Sequence, residues 1–151
     1  MDLEEELAFL QQGSKVQVAT VNPDGSPHLT TLFYVMRDGR LAFWTYAKSQ
    51  KIRNLERDPR LTCLVESGDD YFDLRGVSVT GTARLVRDID QIRVIGTAVA
   101  ERMAQRMSQR ADLGDLGRAE VERQVAKRVA VVVEPVRTTS WDHRKMLAAS
   151  P

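Results

Sequence analysis

Six basic side chains, Arg40, Lys48, Lys51, Arg53, Arg57 and Arg60, fall between Arg40 and Arg60, opposed there only by Glu56 and Asp58 beyond the first hairpin. The run Lys48-Ser49-Gln50-Lys51 stands where a helix is expected to begin. Free backbone N–H groups, the positive end of a helix dipole, a serine hydroxyl and two ammonium groups would then converge on one point, which is the chemistry of a phosphate site. The alternative is a solvated helix face with a serine cap, the usual meaning of a charge run. Trp44 and Thr45, with Phe33 and Tyr34 on a neighbouring strand, are the second candidate, since aromatics on adjacent strands can wall a planar ligand as well as fill a core. Arg102, Arg106 and Arg110 recur every four residues and share one helix face, suited to a polyanion or simply to solvent.

Other chemistries find little support. His28 and His143 are far apart and lack a carboxylate at a telling spacing, and two distant histidines without a cysteine partner make a poor metal site. The sequence holds no G-x-S-x-G, Walker or G-x-G-x-x-G pattern. Cys63, the one cysteine, cannot form an internal disulfide, sits in an alternating apolar stretch and reads as a small buried residue.

The elements that must position these residues follow from periodicity. Residues 2–13 read as a helix, with Leu3, Leu7 and Leu10 near helical spacing and three glutamates at the positive end of the dipole. Strands are expected at 16–21, 27–36 and 41–46, joined by Asn22-Pro23-Asp24-Gly25 and Asp38-Gly39, which makes an antiparallel meander. A short helix over 48–57 ends at Asp58-Pro59. Strands at 61–66 and 72–86 follow, the latter with bends at Gly76 and Gly81. Asp88 caps a helix over 88–110 that carries Ile89, Ile92, Ile95, Val99 and Met103, and residues 120–128 form a further helix. Ala130 to Val136 is a final strand buried on both faces, and 138–147 a polar tail. Six strands with helices at the edges predict an α+β, mainly antiparallel barrel.

The chain has 151 residues, room for one domain spanning 1–151. Its 42% hydrophobic and 28% charged residues exclude disordered and fibrous classes. No apolar run approaches the ~20 residues of a membrane helix, and the acidic start is unlike a signal peptide. The lone thiol suits the cytoplasm. A net charge of +1 gives no global attraction for nucleic acid.

Several stretches, taken in order, resemble the pyridoxamine 5′-phosphate oxidase-like split β-barrel, also called the FMN-binding split barrel. They are Val18-Ala19-Thr20-Val21, Asp24-Gly25-Ser26-Pro27-His28, Gly39 to Thr45, Ser49-Gln50-Lys51-Ile52-Arg53-Asn54-Leu55, Arg57-Asp58-Pro59-Arg60, Leu74 to Ala83 and Ser140 to Met146. Within that superfamily the sequence is most similar to the flavin/deazaflavin oxidoreductases of group B, many of which use coenzyme F420. The resemblance implies that Lys51 binds the cofactor phosphate, with Ser49, Gln50 and Lys48 beside it. Gln50 stands where the vitamin-forming oxidases have Arg. It implies that Trp44 and Thr45 border ring and phosphate, that the backbone of Thr30, Thr31 and Leu32 faces the ring, and that Asn54 adds a polar contact. Gly76 stands where the oxidases present a side-chain amide, and Trp141 and Lys145 match a tail that reaches the cofactor from the other subunit. A homodimer with interfacial cofactor sites is implied. So is hydride transfer between F420 and a small conjugated substrate, with an FMN enzyme or a cofactor- or heme-binding protein without turnover as alternatives. No catalytic proton donor and no metal ligand is singled out.

Overall fold

The structure is a computed structural model that describes residues 1–108 and 112–148. Helix α1, Leu3–Gln12, starts at a capping box: the Asp2 carboxylate accepts from the Glu5 N–H at 2.8 Å, and the Glu5 carboxylate accepts from the Asp2 N–H at 2.8 Å. Strands β1, Lys15–Val21, and β2, Pro27–Phe33, follow, then β3, Val35–Arg37, and β4, Arg40–Tyr46. Asp38 and Gly39 both have positive φ, 49° and 73°, which the two-residue hairpin between β3 and β4 requires. Helix α2, Gln50–Arg57, leads to β5, Arg60–Ser67. A single 3-10 turn, Tyr71–Asp73, precedes the long β6, Arg75–Val86. Then come α3, Ile89–Ser108, α4, Gly114–Val125, β7, Arg128–Asp142, and α5, Arg144–Ala148.

All strand pairs are antiparallel, in the order β2-β1-β5-β6-β7-β4-β3. The fold is α+β, a curled antiparallel sheet of the split-barrel type. The described residues contain seven strands rather than the six expected, because the stretch 27–36 is cut in two at Tyr34. Consecutive β2 and β3 lie at opposite sheet edges, and Tyr34 is the crossing point. Its N–H donates to the Ser14 carbonyl at 3.0 Å and its buried hydroxyl to the Leu10 carbonyl at 2.5 Å. These bonds tie the crossing to the end of α1, and a residue so engaged leaves the ladder. Further boundaries differ. The strand expected over 72–86 starts only at Arg75, because Phe72 and Asp73 belong to the 3-10 turn. The polar tail is β7 as far as Asp142, because β6 is long enough to pair with it (Ser78 opposite Thr139, Gly76 opposite Trp141). Helix α4 starts at Gly114 instead of 120.

The interior of the curl is filled by Val16 and Val18 of β1, Phe43 of β4, Cys63 and Val65 of β5, Val77 and Val79 of β6, and Val129, Val131 and Val133 of β7, closed by Ile52 and Leu55 of α2. Ala130 and Val132 of β7 point the other way, onto Ile92, Ile95 and Val99 of α3 and Val121 and Val125 of α4. The stretch 129–133 is therefore buried on both faces, whereas the expected burial as far as Val136 stops short: Glu134 is half-buried and Val136 is 77% exposed. A bulge interrupts the β6–β7 ladder between Thr80 and Gly81. It accommodates Pro135, which has no N–H to give the ladder. A Cβ on Gly81 would lie 2.1 Å from the Glu134 carbonyl oxygen, so only glycine fits. No helix among the described residues is long and apolar enough to cross a membrane.

Candidate functional site

Helix α2 is pulled against the barrel mouth by Ile52 and Leu55. At helical spacing, burying these two also draws in their neighbours Lys51 and Asn54. Ser49 caps the helix, its hydroxyl accepting from the Ile52 N–H at 3.4 Å. Lys51 is only 8% exposed, and its side chain makes no hydrogen bond or ion pair among the described residues. Desolvation by burial holds its ammonium below the usual lysine range. Its stem is buried while its ammonium still reaches solvent, so the charge carries part of the cost of burial, and an anion brought to it offsets that cost.

A second observation points the same way. Thr30 and His28 lie on the inward face of β2, opposite Val18 and Thr20, and Thr20 meets α2 through Asn54. The Thr30 hydroxyl oxygen and His28 Nδ1 are buried and unpartnered. Thr45, also buried, points to the same interior as Phe43. A partly desolvated cation on α2 and unpartnered polar atoms on the inward face of β2 suit an anionic oxygen.

The other nominated residues divide between places. Asn54, fully buried, donates through Nδ2 to Thr20 Oγ1 at 3.1 Å and to Asn22 Oδ1 at 3.0 Å, while its Oδ1 accepts from Gln50 Nε2 at 2.9 Å. Its amide is taken up in fastening α2 to β1 and the hairpin beyond it, and Gln50 is bonded to it within the helix. Lys48 is exposed. Trp44 faces away from Thr45, as strand alternation requires, and packs on Gly96 of α3. There it lines, with Thr31, Leu32, Met103 and Met107, a cavity of about 490 Å³ beneath α3 and α4. Periodicity did not single out Arg128, whose guanidinium lies 4.7 Å from the Trp44 ring and 4.2 Å from the Tyr46 ring and borders the same cavity. Only cross-strand register reveals it: Arg128 stands opposite Tyr46.

Gly76 and Trp141 are cross-strand partners, and a Cβ on Gly76 would fall 2.2 Å from the Trp141 ring. Gly76 pairs with Glu66, whereas Leu61, five residues back along β5, pairs with the Thr20 that meets α2. The two places are thus roughly 16 Å apart along one strand. Lys145 pairs with the Glu5 carboxylate at 2.7 Å. Gly76→Ala is expected to cost about 1–3 kcal/mol by overpacking. Thermal unfolding checks it, and Trp141→Ala in the same chain should recover most of the loss.

Of the arginine stripe, Arg102 donates to the Gln11 and Gly13 carbonyls and so closes the end of α1. Arg106 lines a separate cavity, and Arg110 lies outside the described residues. His143 Nδ1 is bonded to the Tyr71 carbonyl at 2.7 Å. The Cys63 thiol is pushed up to about 12 by burial, which leaves it unreactive. Among the described residues no three His, Cys, Asp or Glu side chains gather as a metal ion would require.

Comparison with known proteins bears on this geometry. A family model for pyridoxamine 5′-phosphate oxidase matches residues 3–142. Among solved structures, the conserved hypothetical protein Rv2991 from Mycobacterium tuberculosis is 39% identical, with a TM-score of 0.85 over 97% of this chain and 88% of that one. An F420 reductase is 24% identical, with a TM-score of 0.64 over 87% of this chain and 94% of that one. HutZ, a heme storage protein from Vibrio cholerae, is 17% identical, with a TM-score of 0.66 over 94% and 95%. At those last two identities only the fold is shared. No curated protein matches. With the family pattern running through nearly every element from α1 to the end of β7, the chain belongs to the pyridoxamine 5′-phosphate oxidase family.

Proposed function

We propose that this chain is an oxidoreductase that uses coenzyme F420, with FMN as the second reading. The observation that carries it is the largely buried Lys51 at the start of α2, whose side chain has no partner among the described residues, together with the unpartnered Thr30 hydroxyl on the inward face of β2. Both cofactors have a phosphate to place there. Lys51 would hold its charge, Ser49 and Lys48 would flank it, and Thr30 and Thr45 would supply hydroxyls. Gln50, an amide in place of a second guanidinium and turned toward Asn54, favours F420 over FMN. The F420 reductase of the same fold supports the view that such a barrel can seat a deazaflavin. When bound and reduced, that cofactor supplies a hydride, two electrons at once, to a small conjugated acceptor. The protein's part is to fix the ring and leave one face open to the acceptor. The backbone of Thr30, Thr31 and Leu32 would lie along that ring.

Two copies would complete the site. Leu29 and Phe33 of the edge strand β2 are 66% and 41% exposed, apolar surface that pairing would cover. The Trp141–Lys145 segment, remote from Lys51 within one chain, would serve the partner's cofactor. The buried lone thiol fits a cytoplasmic setting.

Titration of the purified protein with F420, FMN and heme, followed in each chromophore's own band, tests this reading. Micromolar or tighter F420 binding with much weaker FMN binding is expected. The reverse order moves the protein to the flavin reading, and heme binding alone makes it a carrier in the manner of the heme storage protein.

A further inference from the structure

We infer that the chain carries a second anion site, in the cavity of about 400 Å³ where the end of α1, β1, β5 and the start of β6 meet, and that it takes a small organic dianion, a phosphate monoester or dicarboxylate.

Ser67 and Arg75 stand directly opposite each other across the β5–β6 ladder, and both line the cavity. The Ser67 hydroxyl oxygen and Arg75 Nε are each buried without a hydrogen-bond partner. Two donors orphaned side by side call for one acceptor. The Arg75 guanidinium is held over the Phe9 ring, 5.4 Å from its centroid, so it is already placed. Lys15 of β1 and Arg106 of α3 bring two more cations from other elements, and neither has an ion pair among the described residues. Glu66 is the one carboxylate in the lining. Within the lining three cations face one carboxylate, an excess that a dianion neutralises; Asp142, opposite Arg75 across the β6–β7 ladder, lies outside the lining and is paired with Arg144 at 2.6 Å. The volume lies within the range of small-molecule sites and exceeds what a bare inorganic ion fills, and Phe9 offers an apolar wall for a carbon skeleton.

This place is separate from Lys51. Ser67 ends β5, whereas the strand's other end, at Leu61, lies beside the Thr20 that meets α2. It contains none of the residues assigned to the cofactor phosphate; Thr31, whose backbone is assigned to the ring, borders it.

The experiment is calorimetric titration with inorganic phosphate and with succinate at low ionic strength, using the full chain and Lys51→Ala, which removes the other anion position. Lys51→Ala is expected to keep one dianion equivalent per chain. Adding Arg75→Gln should weaken that binding by about tenfold or more, and the exposed change Arg106→Gln by several fold, as charge-assisted donors are removed. Stronger binding of phenyl phosphate than phosphate would assign a phosphate monoester, and stronger binding of succinate a dicarboxylate. If Arg75→Gln does not fold, Arg106→Gln and Lys15→Gln decide. Loss of all dianion binding in Lys51→Ala, or binding indifferent to Arg75, Arg106 and Lys15, overturns the proposal. Because these readouts need no cofactor, they stand or fall independently of F420 binding.

Discussion

Replacing Lys51 with alanine is expected to weaken cofactor binding by about 1.5–3 kcal/mol, roughly 10- to 150-fold, without destabilising the protein in cofactor-free solution. Two consequences of the same burial produce this split. With an anion present, Lys51 makes a charge-assisted contact shielded from water, the strong kind. Without one, its ammonium is partly desolvated and unpaired, a cost the folded state carries. Lys51→Met, which keeps most of the aliphatic stem, should therefore unfold at a temperature no lower than the parent when both are free of ligand. The pH dependence separates these effects further. Burial lowers the folded-state value of this group below the unfolded one. Between the two values the unfolded chain holds the proton and the folded chain does not, so the ligand-free stability contributed by Lys51 rises with pH across that window. Anion affinity runs the other way: it is full below the folded value and falls as pH rises through it. Titrations across that range on parent and Lys51→Met check both slopes. Unchanged cofactor affinity in Lys51→Ala would remove the phosphate assignment.

Much of this site is legible in the sequence because its signals are local. A serine before an eight-residue helix, Ile52 and Leu55 at buried spacing, and Asp58-Pro59 as a stop define α2 from neighbours alone. The same holds for the hairpin at Asp38-Gly39, where two residues of positive φ are needed, and for β7, whose unbroken valine-class run can only be covered twice. What stays hidden depends on partners distant in sequence. Nothing near Tyr34 announces that its hydroxyl will find the Leu10 carbonyl, so one strand was expected where there are two. The stretch after Pro135 is polar enough to read as a tail, and only the length of β6 makes it a strand. Trp44 and Thr45 look like a pair in sequence, yet alternation sends one to the helices and the other to the barrel. Arg128, and the facing of Ser67 on Arg75, exist only through register.

Asn54→Ala is expected to cost about 2–4 kcal/mol of stability and, through it, cofactor affinity as well. Asn54 is fully buried, and each of its polar groups is engaged. Its Nδ2 spans Thr20 and Asn22, so one side chain ties α2 both to the last turn of the β1 ladder and to the hairpin beyond it. Its Oδ1 holds Gln50 on the turn above, and Arg57 reaches both Oδ1, at 3.5 Å, and the Val21 carbonyl. Alanine removes both donors and leaves the buried Thr20 hydroxyl facing a void, and an orphaned buried polar group is penalised beyond the bond it has lost. At about 2–4 °C per kcal/mol for a chain of this length, the transition should fall by roughly 5–15 °C. The loss of affinity follows because α2 carries Lys51, and a helix no longer pinned to β1 must be ordered at the expense of binding. This pattern is opposite to that of Lys51→Met, which loses affinity and keeps stability. Excess cofactor should then raise the transition temperature of Asn54→Ala by mass action, while leaving that of Lys51→Ala little changed. Scanning calorimetry with and without ligand reads both effects. An unaltered transition in Asn54→Ala would show that Ile52 and Leu55 alone hold the helix, and the buried amide would then be released from its structural part and free to meet the cofactor.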